Sequence, residues 1–314
     1  MKIAWIGNHE EGVTAFRQVA EQYPIACFIT LNEEAYAKRS AGSRAYYDIC
    51  TAHNIPYHPV STIKGDEAYQ LLAECQPDLV VVLGWSEILP ERLLELPTVG
   101  TVGTHAALLP HNRGSAPINW ALIHGEKETG NTMMWLDKDV DSGDIVDQMA
   151  FPITPFDTCK TLYDRVAETN AAMLMNLLSA LESGTRPVLP LKNETDEPIL
   201  PRRRPKDGLI NWQQSAEKIY DFVRALTKPY PGAFTHLNGD KWLLWEAACL
   251  PLSTDAAPGT ILGTSYGFAE NGVGLLVAAE NGCLLITRME DEQGQEFTGP
   301  ALYELNLKGV FANE

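Results

Sequence analysis

The chain is expected to adopt an α/β fold: a mostly parallel sheet with helices on both faces, followed by a smaller β-rich domain. Three observations predict this. From Lys2 to Val102, apolar runs of strand length alternate with stretches of helical periodicity, as in a sheet built from strand-helix-strand units. Pro187 to Pro205 carries five prolines and the run Arg202-Arg203-Arg204, and reads as an extended connector. Beyond it, short extended runs are separated by Asn238-Gly239, Asn271-Gly272 and Asn281-Gly282, turn dipeptides that suit a small barrel or open β domain. With 314 residues there is room for two domains, and the expected boundaries are 1–200 and 201–314.

Lys2 to Gly7 is the first strand, Asn8 to Gly12 a polar loop, and Val13, Phe16, Val19 and Ala20 the apolar face of the next helix. The loop has no Gly-x-Gly-x-x-Gly pattern, so a nicotinamide or flavin dinucleotide gains little support. Ile25 to Thr30 is the second strand. Asn32 to Ser43 mixes Lys38 and Arg39 with Glu33 and Glu34. It is either a solvated surface or a contact to phosphate or sugar. Tyr46 to Asn54 is helical and leads to a short strand around Ile55-Pro56-Tyr57. A helix over Asp66 to Glu74, a strand over Leu79 to Leu83, the turn Gly84-Trp85-Ser86 and a strand over Val99 to Val102 follow. Ile118 to Ile123 is a short helix stopped by Gly125, and Thr132 to Leu136 is another strand. Leu162, Val166, Ala167, Met173, Leu174, Leu177, Leu178 and Leu181 form a helical stripe that ends at Gly184. In the second domain a helix over Ser215 to Thr227 precedes strands at 233–237, 242–247, 259–262, 274–278 and 283–288. The first domain is expected to be Rossmann-like, and the second β-rich, an OB-like barrel or an open β domain.

A formal net charge of −17, from 24 Lys and Arg against 41 Asp and Glu, opposes a broad nucleic-acid surface, which needs cations to neutralise phosphates. A small anion held by a few local arginines is still allowed. No run approaches the roughly 18 apolar residues of a membrane helix, and the strand-like N-terminus does not suit a signal peptide. A cytoplasmic protein with no membrane partner is expected. The six cysteines lie among apolar neighbours with no Cys-x-x-Cys pair, which favours buried thiols over disulfides or structural zinc.

The chemistry concentrates between Thr101 and Asp147. His105 should sit where a buried strand ends, the place at which open parallel sheets hold ligands. The acids Asp137, Asp139, Asp141 and Asp144 crowd the loop after Leu136. An imidazole oriented by a carboxylate suits acid and base work on a carbonyl under attack. The residues alone allow a second reading, in which the histidine is a satisfied structural group and the acids form a solvated turn. Asp137-x-Asp139-x-Asp141 lacks the glycine and terminal glutamate of an EF-hand loop, so no metal is expected.

The run His105-Ala106-Ala107-Leu108-Leu109-Pro110-His111-Asn112-Arg113-Gly114, with Ala116-Pro117, Trp120, Gly125-Glu126, Thr129-Gly130 and Asp141-Ser142-Gly143-Asp144-Ile145, resembles the 10-formyltetrahydrofolate-dependent formyltransferases. That family includes methionyl-tRNA formyltransferase and the sugar-nucleotide N-formyltransferases. The similarity continues at Pro77-Asp78-Leu79, Ile88-Leu89-Pro90, Gly208-Leu209-Ile210-Asn211-Trp212 and Pro231-Gly232-Ala233-Phe234, and covers nearly the whole chain. It implies a one-carbon transferase with 10-formyltetrahydrofolate as co-substrate and no metal. His105 and Asp141 match two members of the family's Asn, His, Asp trio. The histidine would stabilise or protonate the oxyanion, while the aspartate orients it and helps remove the amine's proton. The asparagine belongs two residues before the histidine, where this chain has Gly103. Loss of one oxyanion donor typically costs ~2.7–4 kcal/mol, so a backbone N–H, Thr104, Asn112 or an ordered water would have to substitute. The resemblance places the pterin between Trp85, Ser86, Ile88 and Leu89 on one side and Asp137, Asp139 and Val140 on the other, mostly through backbone groups.

For the acceptor, the resemblance implies the amine of a nucleotide-linked amino deoxysugar, UDP- or dTDP-linked, of the kind used in surface polysaccharides. The family's tRNA enzymes carry a longer basic insertion where this chain has Leu31 to Arg44 with two glutamates. His9, Arg113, Gly114, Arg202 and Arg204 are the implied substrate contacts. The arginines either grip a pyrophosphate in forked geometry or bind the protein's own acidic surface. Two other readings stand beside this one: a methionyl-tRNA formyltransferase, and a catalytically impaired folate- or nucleotide-sugar-binding protein, motivated by Gly103. A homodimer is left open.

Overall fold

In the computed structural model, which describes residues 1–37, 43–191, 197–266 and 273–312, the first half of the chain alternates strand and helix. Its elements are β1 (Ile3–Ile6), α1 (Val13–Gln22), β2 (Ile25–Leu31), α2 (Glu33–Ala37), α3 (Ala45–His53), β3 (Tyr57–Val60), α4 (Asp66–Cys75) and β4 (Leu79–Val82). They continue with α5 (Glu91–Leu94), β5 (Gly100–His105), α6 (Pro117–His124), β6 (Glu128–Trp135), β7 (Ile145–Pro152) and α7 (Cys159–Glu182). The strands form one sheet in the order β3-β2-β1-β4-β5-β6-β7. The first five named are parallel, while β6 and β7 add antiparallel at one edge.

Strands buried on both faces read as unbroken apolar runs, and Leu79-Val80-Val81-Val82 shows why. Leu79 and Val81 enter a core with Trp5, Phe16, Phe28, Met173 and Leu174, under α1, α3 and α7. Val80 and Val82 enter a second core with Leu72, Leu89 and Leu93, under α4 and α5. A buried amide relay ties the first face together. Asn131 on β6 donates to Asn170 Oδ1 on α7 at 2.7 Å, and Asn170 donates to the Glu11 carbonyl at 2.9 Å. Chain order runs outward from β1 through β2 to β3 and from β4 to β5. The ends of β1 and β4 are therefore the switch point at which such sheets accept ligands, and the Gly84 carbonyl links them by accepting from the Asn8 and His9 amides at 2.9 and 2.8 Å.

The chain divides into two compact units. The first comprises Met1–Pro117, Glu128–Pro152 and Leu162–Pro201; the second comprises Ile118–Lys127, Ile153–Thr161 and Arg202–Glu314. In the second, α8 (Ala216–Leu226) is capped by the Ser215 hydroxyl, which accepts from the Lys218 amide. Strands β8 (Ala233–Leu237), β9 (Asp240–Leu250), β10 (Ile261–Tyr266), β11 (Val273–Ala278), β12 (Cys283–Glu290) and β13 (Glu296–Thr298) form an antiparallel sheet, followed by α9 (Pro300–Glu304). Residues 309–312 bridge both open edges, Val310 to Thr260 beside β10 and Ala312 to His236 on β8, which gives the sheet its barrel character.

Several elements differ from expectation. The short strand after α3 lies at Tyr57–Val60 rather than around residues 55–57, because it is this stretch that comes into register with Phe28–Leu31 of β2. Strand β7, the short β13 and α9 carry no strong periodicity and were not anticipated. Lys38, Arg39 and the Asn271-Gly272 turn lie outside the described residues. The cysteines are all free thiols, and no helix among the described residues is long and apolar enough to cross a membrane.

Candidate active site

Strand alternation sends Val102 into the core under α7, so Gly103 and His105 share the opposite face. His105 closes β5 and is 8% exposed. Its Nε2 lies 2.8 Å from the Asn112 carbonyl. A carbonyl only accepts, so Nε2 carries a hydrogen. Thr132, wholly buried and in register with His105 across β5 and β6, secures the segment between histidine and carbonyl. Its hydroxyl donates to Ala107 O at 2.6 Å and accepts from the Leu109 amide at 3.1 Å and Gln148 Nε2 at 2.9 Å. Gln148 also donates to Leu109 O at 2.8 Å.

The acid loop, residues 136–144, runs back along β5. The Leu136 amide donates to Thr101 O at 2.8 Å, and the Leu136 methyl carbons lie 3.0 Å from where a Cβ on Gly103 would sit. Asp137 accepts from the Asp139 amide and the Ser142 hydroxyl, which tightens the turn. At its far end a Cβ on Gly143 would come 1.7 Å from the Trp135 carbonyl oxygen, so only glycine fits. Between them Asp141 adopts a left-handed φ of 53°. Its Oδ1 stands 3.4 Å from His105 Nδ1, and its Oδ2 accepts from the Gly114 amide at 3.0 Å. Gly114, at φ 113°, is held in turn by Leu200: a Cβ there would lie 2.5 Å from the Leu200 oxygen.

His105 is thus flanked by two acceptors, a carbonyl and a carboxylate. A neutral ring can donate to only one of them, whereas a doubly protonated ring satisfies both. The arrangement holds a mostly enclosed N–H donor at a strand end with a carboxylate behind it, which can stabilise charge developing on a carbonyl oxygen and relay a proton.

The structure brings His105, Asp141 and Gly114 together, with half-buried Arg113 adjacent. At position 103 the Leu136 methyls crowd the place of a Cβ, so an asparagine there needs the leucine to shift. Thr104 cannot substitute, since alternation turns it to the other face. Trp85 is half-buried and packs on the same core as Leu136, while Leu89 is buried within it. Ser86 and Ile88 are exposed, as are Asp137, Asp139 and Val140. His9 is fixed by its backbone, donating to Gly84 O and accepting from the Tyr46 hydroxyl at 2.9 Å. Arg202 and Arg204 lie exposed in the second unit. There Arg203, between them, stacks over the Trp120 and Phe222 rings at 4.9 and 5.4 Å, and burial lowers its guanidinium pKa. Among the described residues no group of His, Cys, Asp and Glu is arranged to hold a metal.

Two contributors escape sequence reasoning. Asn112 acts through its main-chain oxygen, which no side-chain pattern reports. Glu87 accepts from the Ile63 amide at 2.9 Å and the Thr62 hydroxyl at 3.1 Å, anchoring the 85–89 loop to the loop after β3; nothing in its spacing signals this.

Comparison with known proteins agrees over both units. Residues 2–178 match the formyl transferase family and residues 203–305 the formyl transferase C-terminal domain. The methionyl-tRNA formyltransferase of Desulforamulus reducens is 32% identical over 294 residues, covering 92% of this chain and 90% of that protein. Two solved structures share the fold. HypX from Aquifex aeolicus in complex with tetrahydrofolic acid has a TM-score of 0.67 at 18% identity, covering 99% of this chain, which spans about half (48%) of that one. The N-formyltransferase from Helicobacter canadensis, solved with folinic acid and dTDP-3-aminofucose, has a TM-score of 0.65 at 16% identity and covers 95% of this chain and 100% of that one. With both regions matched and a whole-length relative at this identity, the chain belongs to the formyl transferase family.

Proposed function

We propose that the protein moves the formyl group of 10-formyltetrahydrofolate onto the amino group of a nucleotide-linked amino deoxysugar, UDP- or dTDP-linked. The His105–Asp141 contact at 3.4 Å, backed by Asn112 and Gly114, supports the formyl-transfer half of this reading. As a neutral amine attacks the formyl carbon, the new C–N bond forms and the bond to the folate nitrogen breaks. His105 donates toward the oxygen that gains charge, its Nε2–H leaving the Asn112 carbonyl to do so. Asp141 holds the imidazole and helps pass the proton the amine loses to the departing folate nitrogen. Trp85, Ser86, Ile88 and Leu89 with Asp137, Asp139 and Val140 are the residues that would hold the pterin. The buried indole N–H of Trp85, unpartnered among the described residues, fits a site that takes a polar ligand.

The observation that carries the acceptor is electrostatic. A chain of net charge −17 has little with which to neutralise an acceptor stem, whereas a pyrophosphate needs only a few cations, for which Arg113 is a candidate in the first unit and Arg202 and Arg204 in the second. A second reading, transfer to methionyl-tRNA, is favoured by the 32% identity over 92% of the chain. Incubation with formylfolate and each acceptor class in parallel, read by mass, decides between them. Formylation of an amino-sugar nucleotide supports the proposal; formylation of charged tRNA alone reverses it. Folate binding with no turnover of any acceptor would leave a binding protein impaired by Gly103.

A further inference from the structure

Gly103 leaves the site one side-chain N–H short, and the strand face around it carries such a donor. Val82 on β4 lies opposite Gly103 on β5, so the chain just beyond β4 runs beside His105 at the end of β5. Gly84, at φ 65°, bends the chain there. Trp85 then packs on the core of Val80, Val82, Leu89 and Leu93, on which Leu136 also sits. This is the face that Gly103 and His105 share, and the Leu136 methyls cover Gly103.

The Trp85 Nε1 atom is buried and has no hydrogen-bond partner among the described residues. An indole nitrogen can only donate. A buried donor left unmatched is costly and calls for an explanation, and a ligand oxygen supplies one. Thr101 Oγ1 is also buried and unpartnered, but it lies two residues further into the strand, with Leu136 over the intervening Gly103.

The geometry points to Trp85 as the residue that donates a hydrogen bond to the formyl oxygen alongside His105, in place of the family's asparagine. This rests on the formylfolate reading above. It assigns Trp85 a role in turnover as well as a place in the pterin site.

Trp85→Phe keeps a ring in the cluster and deletes the donor. We expect kcat to fall about 10²-fold, as for loss of one oxyanion donor. In the unaltered protein carrying ¹⁵N-tryptophan, the Trp85 indole N–H resonance should move when a hydrolysis-stable 10-formyl folate analogue binds and stay put with tetrahydrofolate. An undiminished kcat in Trp85→Phe, or an indole resonance indifferent to the formyl group, overturns the assignment. Should Trp85→Phe misfold, the resonance decides. A wild-type protein that binds neither folate nor formylates any amine overturns the functional reading itself, and wild-type measurements separate that case from failure of the Trp85 assignment.

Discussion

Asp141→Asn tests the central pair with little change of shape. The carboxylate serves two groups at once, accepting from the Gly114 amide at 3.0 Å and facing His105 Nδ1 at 3.4 Å. An amide in its place keeps Gly114 through its oxygen and turns its NH2 toward Nδ1. Nε2 keeps its contact to the Asn112 carbonyl in the resting site, Nδ1 accepts from the new amide, and the negative charge behind the ring is lost. Both side chains are largely enclosed, at 8% and 14% exposure, so solvent does little to replace the lost charge. A hydrogen bond to a charged group contributes roughly 1.5–3 kcal/mol, or about 10- to 150-fold in rate at ~1.4 kcal/mol per tenfold. The 3.4 Å separation is long for such a bond and places the expectation toward the lower end of that range. The assay is steady-state formyl transfer, with tetrahydrofolate affinity by calorimetry and a thermal melt as controls that should not move. An unchanged kcat, or a loss of kcat that only follows a fall in Tm, refutes the argument.

Three further outcomes follow from the same geometry. Thr132→Val keeps the buried shape but strips partners from Ala107 O and the Leu109 amide. Urea unfolding should show a loss of about 2 kcal/mol together with a lower kcat, and an unchanged midpoint contradicts this. Gly143→Ala forces a methyl to within 1.7 Å of the Trp135 carbonyl unless the loop shifts. It should cost about 1–3 kcal/mol and most of the activity, whereas a fully active Gly143→Ala would mean that the Asp141 turn is not critical. Among the thiols, a hydrogen bond with Cys27 lowers Cys75 to about 7, while burial pushes Cys50 and Cys159 up to about 12. Since the thiolate is the nucleophile, iodoacetamide should label Cys75 before the other two, faster as pH rises through 7 and slower below it. Peptide mapping that finds Cys50 or Cys159 modified first counts against this.

The buried strands were legible because Ile3–Ile6, Ile25–Leu31 and Leu79–Val82 are apolar runs with both faces covered. Strand β7 was not, because Ile145–Pro152 is an edge whose buried positions lie mainly at its two ends, so it has neither an apolar run nor an alternation. The membership of 118–127 and 153–161 in the second unit depends on distant contacts. Asn119 donates to Ala225 O at 2.6 Å, and Arg224 donates to Thr154 O and Asp157 O at 2.8 and 2.9 Å. No local pattern encodes those. At the site, His105 was visible as a polar residue ending a strand. Periodicity could not pick Asp141 from its three acidic neighbours, because what singles it out is a left-handed backbone and a through-space contact to Gly114.

Leu136 resting on Gly103 makes these two positions interdependent under mutation. An asparagine introduced at 103 alone is driven into the leucine methyls, and a small residue at 136 alone leaves a void at the root of the acid loop. Each change alters the room left to the other, so the effects of the two changes should not add.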